Sequence, residues 1–139
     1  MTMPLQRITY VEDDHDIRAI AELALGTLGG YELDLCENGQ QAIERIPRFR
    51  PDMVLLDVMM PVMDGVETLK TLKSMPEVAA IPVIFMTAKA QRHEVQSYKA
   101  IGALDVITKP FDPIELPARI AEIWIRFVAG CEDIRREAS

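Results

Sequence analysis

The chain is short of cysteine, of histidine and of basic charge, and each shortage closes off a class of function. Of 139 residues only Cys36 and Cys131 are cysteine and only His15 and His93 are histidine. They form no CxxC and no spacing that a zinc site uses, which argues against zinc and leaves a reduced compartment as the expectation. Disulfides are unnecessary too, since a domain of this length buries on the order of two thirds of its unfolded surface. Lys and Arg number 15 against 22 Asp and Glu, a formal net charge of -7. That balance repels a phosphate backbone, so direct nucleic-acid binding is disfavoured. No apolar run approaches the roughly 20 residues of a membrane span, and the opening MTMPLQRITY lacks the hydrophobic stretch of a signal peptide. The expectation is a cytoplasmic protein without membrane contact. Internal linkers and low-complexity stretches are also missing, and 49% apolar with 27% charged residues suits one folded domain.

What is present is an alternation of short apolar runs with amphipathic segments. Ile8 to Val11 reads as a strand ending in Glu12, Asp13 and Asp14. A helical stripe follows at Ile17, Ile20, Ala21, Ala24 and Leu28, stopped by Gly29-Gly30. Tyr31, Leu33 and Leu35 alternate as in a half-exposed strand, and Asn38-Gly39 opens a helix with Ala42, Ile43 and Ile46 inward, bounded by Pro47 and Pro51. Met53 to Leu56 reads as a strand covered on both faces, ending at Asp57. After the Pro61 to Gly65 turn comes a helix to about Met75, then the run Ile81 to Met86 ending at Thr87. A helix from about Gln91 to Ile101 leads to a last strand, Leu104 to Ile107, which ends at Thr108 and Lys109. Asp112 and Glu115 form a capping box around Pro113 that launches a final helix to about Val128, in whose second turn Pro117 removes a backbone bond. Residues 1–128 are expected to form one domain, and 129–139 a short tail too small for a DNA-binding unit.

Five strands alternating with five helices imply an α/β fold, a doubly wound parallel sheet with helices on both faces. In such sheets ligands bind beyond the carboxyl ends of the strands. Those ends carry the polar residues: Glu12 and Asp13, Asp57, Thr87 and Lys109 each follow an apolar run. Carboxylates gathered at one edge repel one another unless a cation sits among them, and Mg²⁺ suits two or three carboxylates that share it with water and phosphate. The set offers no base for a serine or cysteine nucleophile. It has instead what phosphoryl transfer needs, with Asp57 as the nucleophile, Glu12 and Asp13 as metal holders, Lys109 as a mobile cation and Thr87 as a donor.

VEDD at Val11 to Asp14, DVMMPVMDG at Asp57 to Gly65, TAK at Thr87 to Lys89 and KPF at Lys109 to Phe111 together resemble the receiver domain of bacterial two-component response regulators. The resemblance spans about Arg7 to Phe127 and implies a flavodoxin-like sheet of strand order 2-1-3-4-5. It implies that Asp57 accepts a phosphoryl group from a sensor histidine kinase or phosphotransfer protein, and that Glu12, Asp13, Asp57 and the Met59 carbonyl surround Mg²⁺. Thr87 and Lys109 would each meet a phosphoryl oxygen, the Lys109-Pro110 bond would be cis, and the domain would catalyse only its own phosphorylation and dephosphorylation. One departure is Val106, where receivers often carry an aromatic residue on strand 5 that moves with the threonine.

Alone, Glu12-Asp13-Asp14 reads as a solvated strand end; Asp57 and Lys109 at the same edge reverse that. Asp14 and Asp64 read as helix caps, and His15 and His93 as exposed residues without a part in the chemistry. A phosphohydrolase of the haloacid-dehalogenase kind would need a second Asp two positions after the nucleophile, where Met59 stands. An interaction module independent of phosphorylation would be expected to lack a site residue, and none is missing. A flavodoxin-like cofactor binder would need a phosphate loop after the first strand, and none is there. On the last helix, Glu115, Arg119, Glu122 and Arg126 share one strip, while an apolar arc of about 220° remains at about 100° per residue. Leu116, Ile120, Ile123 and Phe127 suffice to cover a sheet. The side formed by Ile114, Pro117, Trp124 and Ile125 is then expected to be exposed, for contact with a second copy or a target protein.

Overall fold

The computed structural model describes residues 4–138, with side chains to Cys131. Five parallel strands lie in the order β2-β1-β3-β4-β5, as expected: β1 (Arg7–Val11), β2 (Glu32–Cys36), β3 (Met53–Asp57), β4 (Val83–Thr87) and β5 (Asp105–Thr108). Alternate residues of each strand enter opposite layers of the core. Ile8, Tyr10, Met53, Leu55, Ile84, Met86 and Ile107 face one layer, and Val11, Val54, Leu56, Val83, Phe85 and Val106 face the other. Because β3 and β4 are buried along their whole length, they read as unbroken apolar runs whose first polar residue falls at the sheet edge.

The first layer is closed by α1 (His15–Ala21) and α5 (Leu116–Ala138), the second by α2 (Gly39–Phe49), α3 (Gly65–Lys73) and α4 (Arg92–Ala100). Local chemistry starts these helices. Asp14 accepts from the Asp16 and Ile17 N–H groups at 2.8 and 3.1 Å, Asn38 from Gln41 N–H at 2.8 Å, and Asp64 from Glu67 N–H at 2.9 Å. Glu94 reaches back to Gln91 N–H at 3.3 Å.

Several local expectations fail. After α1 the chain widens into a π-helical segment, Glu22–Leu28, closed by Gly29 N–H on the Ala24 carbonyl at 3.0 Å. Ala21 and Ala24 are buried as expected; past them the wider turn brings Leu25 inward and leaves Leu28 exposed, and Ile20 of α1 is exposed as well. Pro47 lies inside α2, which ends in left-handed Arg50. Pro82 cannot donate to the ladder, and β4 begins after it. Asp112 anchors a turn whose carbonyl accepts from Glu115 and Leu116, and α5 begins at Leu116. Pro117 therefore sits in the first turn, where its missing N–H is no loss. The helix runs on to Ala138, through the segment expected to be a tail.

Candidate functional site

The carboxyl ends of β1, β3, β4 and β5 meet at one edge and bring the chemistry together there. Glu12 directly follows β1 and is held by its own N–H on the Cys36 carbonyl at 3.0 Å; Asp57 ends β3. Both are buried, at 1% and 2% exposure, whereas Asp13 is exposed. Oxygens of Glu12, Asp13 and Asp57 lie within 4.8 Å of one another. Lys109 projects into the same group, donating from Nζ to Glu12 Oε1 at 2.8 Å and to Asp57 Oδ1 at 3.2 Å. Its backbone N–H is tied to the Thr87 carbonyl at 2.8 Å, and the Lys109-Pro110 bond is cis.

Charge at this edge is unbalanced: one ammonium meets three carboxylates. Burial pushes the Glu12 carboxyl above its ordinary range, and Asp57 adds to that while Lys109 pulls it back. Asp13 is pushed up by desolvation and by its contact with Glu12. Burial works to lower Lys109, but Glu12 and Asp57 outweigh it and raise its pKa. The buried Tyr10 phenol is raised by burial, then by Glu12 and Asp57. A cluster of oxygen donors that is short of positive charge, with one exposed member, suits a hard divalent cation that keeps part of its water.

Close backbone packing holds Asp57 in place. Met59 N–H donates to Asp57 Oδ1 at 3.3 Å, and Gly65 N–H reaches the Val58 carbonyl at 2.9 Å. A side chain at Gly65 would put its Cβ 2.4 Å from the Asp57 carbonyl oxygen, so only glycine lets α3 start beneath the strand end. Thr87 is buried, and its Oγ1 accepts from Lys89 N–H at 3.1 Å. The structure thus draws Glu12, Asp13, Asp57 and Lys109 into one contact group and leaves Thr87 engaged with its own loop.

Arg18 was not singled out in the sequence. Its guanidinium donates to the Glu12 carbonyl at 2.7 Å and lies 3.8 Å from Glu37, fastening α1 to the site. Its place four residues after the Asp14 cap, inside an apolar stripe, was the available signal. On α5 the expectation is corrected. Trp124 is buried at 8% exposure and packs on Phe127, with ring centroids 5.7 Å apart, because α5 turns it with Leu116, Ile120 and Ile123 toward the sheet. Ile114 and Ile125 remain exposed.

Comparison with known proteins agrees with this geometry. The response regulator receiver domain model matches residues 8–121. The chain is 40% identical over 123 residues to the phosphate regulon transcriptional regulatory protein PhoB of Pseudomonas aeruginosa, covering 88% of this chain and 53% of that protein. It is 39% identical to the sporulation initiation phosphotransferase F of Bacillus subtilis, covering 80% of this chain and 87% of that one. Among solved structures, chemotaxis protein CheY4 of Vibrio cholerae superposes with a TM-score of 0.79 at 28% identity, covering 86% of this chain and 99% of the other. The chain spans about half the length of several regulators it matches, PhoB among them. Among the described residues, no helix is long and apolar enough to cross a membrane. A receiver family match over most of the length, on a sheet of order 2-1-3-4-5 with acids and a lysine at its carboxyl edge, means that the chain belongs to the receiver domains of two-component response regulators.

Proposed function

We propose that Asp57 is the phosphoacceptor of a cytoplasmic signalling switch, charged by a sensor histidine kinase or a phosphotransfer protein. The observation that carries this reading is the meeting of Glu12, Asp13 and Asp57 oxygens within 4.8 Å, with Lys109 on two of them. Glu12, Asp13, Asp57 and the Met59 carbonyl would hold Mg²⁺. Bound there, the ion neutralises charge on the oxygens of the transferring group. An Asp57 carboxylate oxygen bonds to phosphorus as the phosphorus–nitrogen bond of the donor phosphohistidine breaks, and the imidazole nitrogen keeps that electron pair. Lys109 balances negative charge beside Asp57, and Thr87 offers a hydroxyl proton to a phosphoryl oxygen. Water attack on phosphorus later frees the carboxylate. The domain therefore acts only on itself.

Residues 1–128 form the switching unit in this reading, and 129–139 are its C-terminal extension. A second copy or a target protein would meet α5 on the side of Ile114, Pro117 and Ile125; Trp124 is removed from that surface by its burial. Incubation with acetyl phosphate and Mg²⁺ tests the acceptor. Mass spectrometry is expected to find one acid-stable, base-labile phosphoryl group, absent in Asp57→Asn, and undiminished labelling of that variant would overturn the reading.

A further inference from the structure

Of the three carboxylates at the acidic edge, Glu12 and Asp57 are held by burial and by Lys109. Asp13 is exposed and borders a cleft of about 430 Å³ shared with Arg18, Glu37 and Val62, so packing does little to fix it. Glu12 repels it when both are ionised. Its place therefore depends on the backbone of the turn that carries it. There the Glu12 N–H donates to the Cys36 carbonyl at 3.0 Å, and the carbonyl of the same residue accepts from Arg18 Nη1 at 2.7 Å. That carbonyl belongs to the peptide joining Glu12 to Asp13. The Arg18 N–H reaches the Asp14 carbonyl at 3.0 Å, so one residue of α1 grips the Glu12–Asp14 segment at both ends. The Arg18 side chain is only 13% exposed, and its Nη2 lies 3.8 Å from Glu37 at the corner between β2 and α2.

Resting on the reading of Glu12, Asp13 and Asp57 as the Mg²⁺ site, we propose that Arg18 is a positioning residue for that site. By gripping the Glu12 carbonyl it fixes the peptide plane that carries Asp13, and so sets the affinity for the ion. It acts through geometry and not through charge. Its guanidinium donates to a backbone carbonyl and leans toward Glu37, while the carboxylates of the site take their positive charge from Lys109. Arginine suits the task because its rigid planar fork presents separate N–H groups to Glu12 and Glu37 at once and stays charged. Lysine is a single point charge on a flexible stem and does not reproduce that grip. Without it the peptide is free to rotate, Asp13 turns with it toward the cleft, and the ion loses a protein oxygen, as happens when the groups that orient metal ligands are removed.

Titration with MgCl₂ at pH 7, followed by backbone amide NMR shifts, tests this in the parent, Arg18→Lys, Arg18→Met and Glu37→Gln. The Mg²⁺ concentration at half-saturation is expected to rise about tenfold in both Arg18 variants. In Glu37→Gln it is expected to stay within about twofold of the parent, since that pair is long and exposed on the Glu37 side. The rate of labelling by acetyl phosphate, extrapolated to saturating Mg²⁺, is expected to stay within about twofold of the parent, because Arg18 does not touch the reacting atoms. A role confined to holding α1 would lower the melting temperature and leave half-saturation where it was, and that result overturns the proposal. Parent affinity in Arg18→Lys with loss in Arg18→Met would show that charge suffices, and overturns it as well. Should Arg18→Met fail to fold, Arg18→Lys decides alone. A parent in which MgCl₂ leaves the amides of Asp13, Asp57 and Met59 unmoved overturns the Mg²⁺ site itself and the proposal with it.

Discussion

Lys109 and Thr87 stand at the same edge, at the ends of neighbouring strands, yet only one of them reaches the carboxylates: one arm of the site is set and the other is open. Lys109 already bonds to Glu12 and Asp57, and the helix that follows it, α5, is fastened by buried Leu116, Ile120, Ile123 and Trp124. Thr87 makes its hydrogen bond with Lys89, and the helix that follows it, α4, buries nothing completely. The contrast separates two duties that one site has to perform. A fixed arm holds charge in place before any phosphoryl group arrives, while an arm attached to a loosely packed helix can answer to its arrival. Packing decides which arm is which, since α5 carries four buried apolar residues of its own and α4 carries none.

The largest expected effect breaks the fixed arm. Without Lys109, the buried Glu12 and Asp57 carboxylates face each other with no cation between them. Removing one partner of a buried ion pair costs about 3–5 kcal/mol. Urea unfolding of Lys109→Met at pH 7 without divalent ions should therefore show a loss near the lower end of that range, about 3 kcal/mol. Thr87→Val deletes an acceptor for one loop N–H and should cost about 1 kcal/mol. Equal losses would erase the distinction between the arms.

A second contrast concerns the helices themselves. Ile120 is fully buried beneath α5, and Ile120→Ala should cost about 3 kcal/mol from lost transfer energy and a residual cavity. Val95 is only half buried, so Val95→Ala should cost about 1 kcal/mol or less. Denaturant midpoints measured side by side sharpen the comparison, and a Val95 loss as large as that of Ile120 would contradict the weak hold on α4.

The strand ends were legible because strands buried on both faces read as continuous apolar runs, which fixes where Asp57 and Thr87 must fall. The caps at Asp14, Asn38 and Asp64 were legible because a side chain bonding to the next turn is a local event. Features set by tertiary packing were not. Of the stripe Ile17, Ile20, Ala21, Ala24 and Leu28, which obeys a 3.6-residue period, Ala21 and Ala24 are buried as expected, but nothing local announces the wider turn that buries Leu25 and leaves Leu28 outside. On α5 the apolar arc is broader than one sheet face needs, so the sequence left open which part turns inward, and Trp124 went with the core. Arg18 finds its partner, the Glu12 carbonyl, only through the fold of the turn before α1. The convergence of Glu12, Asp13, Asp57 and Lys109 could be anticipated, while the engagement of Thr87 with Lys89 could not.

The smallest expected effect lies at the acidic rim between the two arms, and its sign follows from the proton balance. Glu12 and Asp13 both bind a proton more tightly in the folded chain than in the unfolded one, chiefly through desolvation. Their contribution to stability is therefore full only below the ordinary carboxylate range of about pH 4, and is lost as pH rises through their elevated folded values. Replacing Asp13 by Asn removes one of these charges without emptying space. At pH 7 and without divalent ions, Asp13→Asn should be more stable than the parent, and the difference should shrink toward zero as pH falls below about 4, the ordinary carboxylate range. Exposure of Asp13 keeps the gap small, so paired thermal scans at matched ionic strength are the suitable measurement. Adding Mg²⁺ at pH 7 should raise the melting temperature of the parent more than that of the variant, since binding to the folded chain alone stabilises it by mass action. A stability gap that stays constant with pH would show that Asp13 does not feel Glu12 and its surroundings, and equal Mg²⁺ responses would place the cation away from this carboxylate.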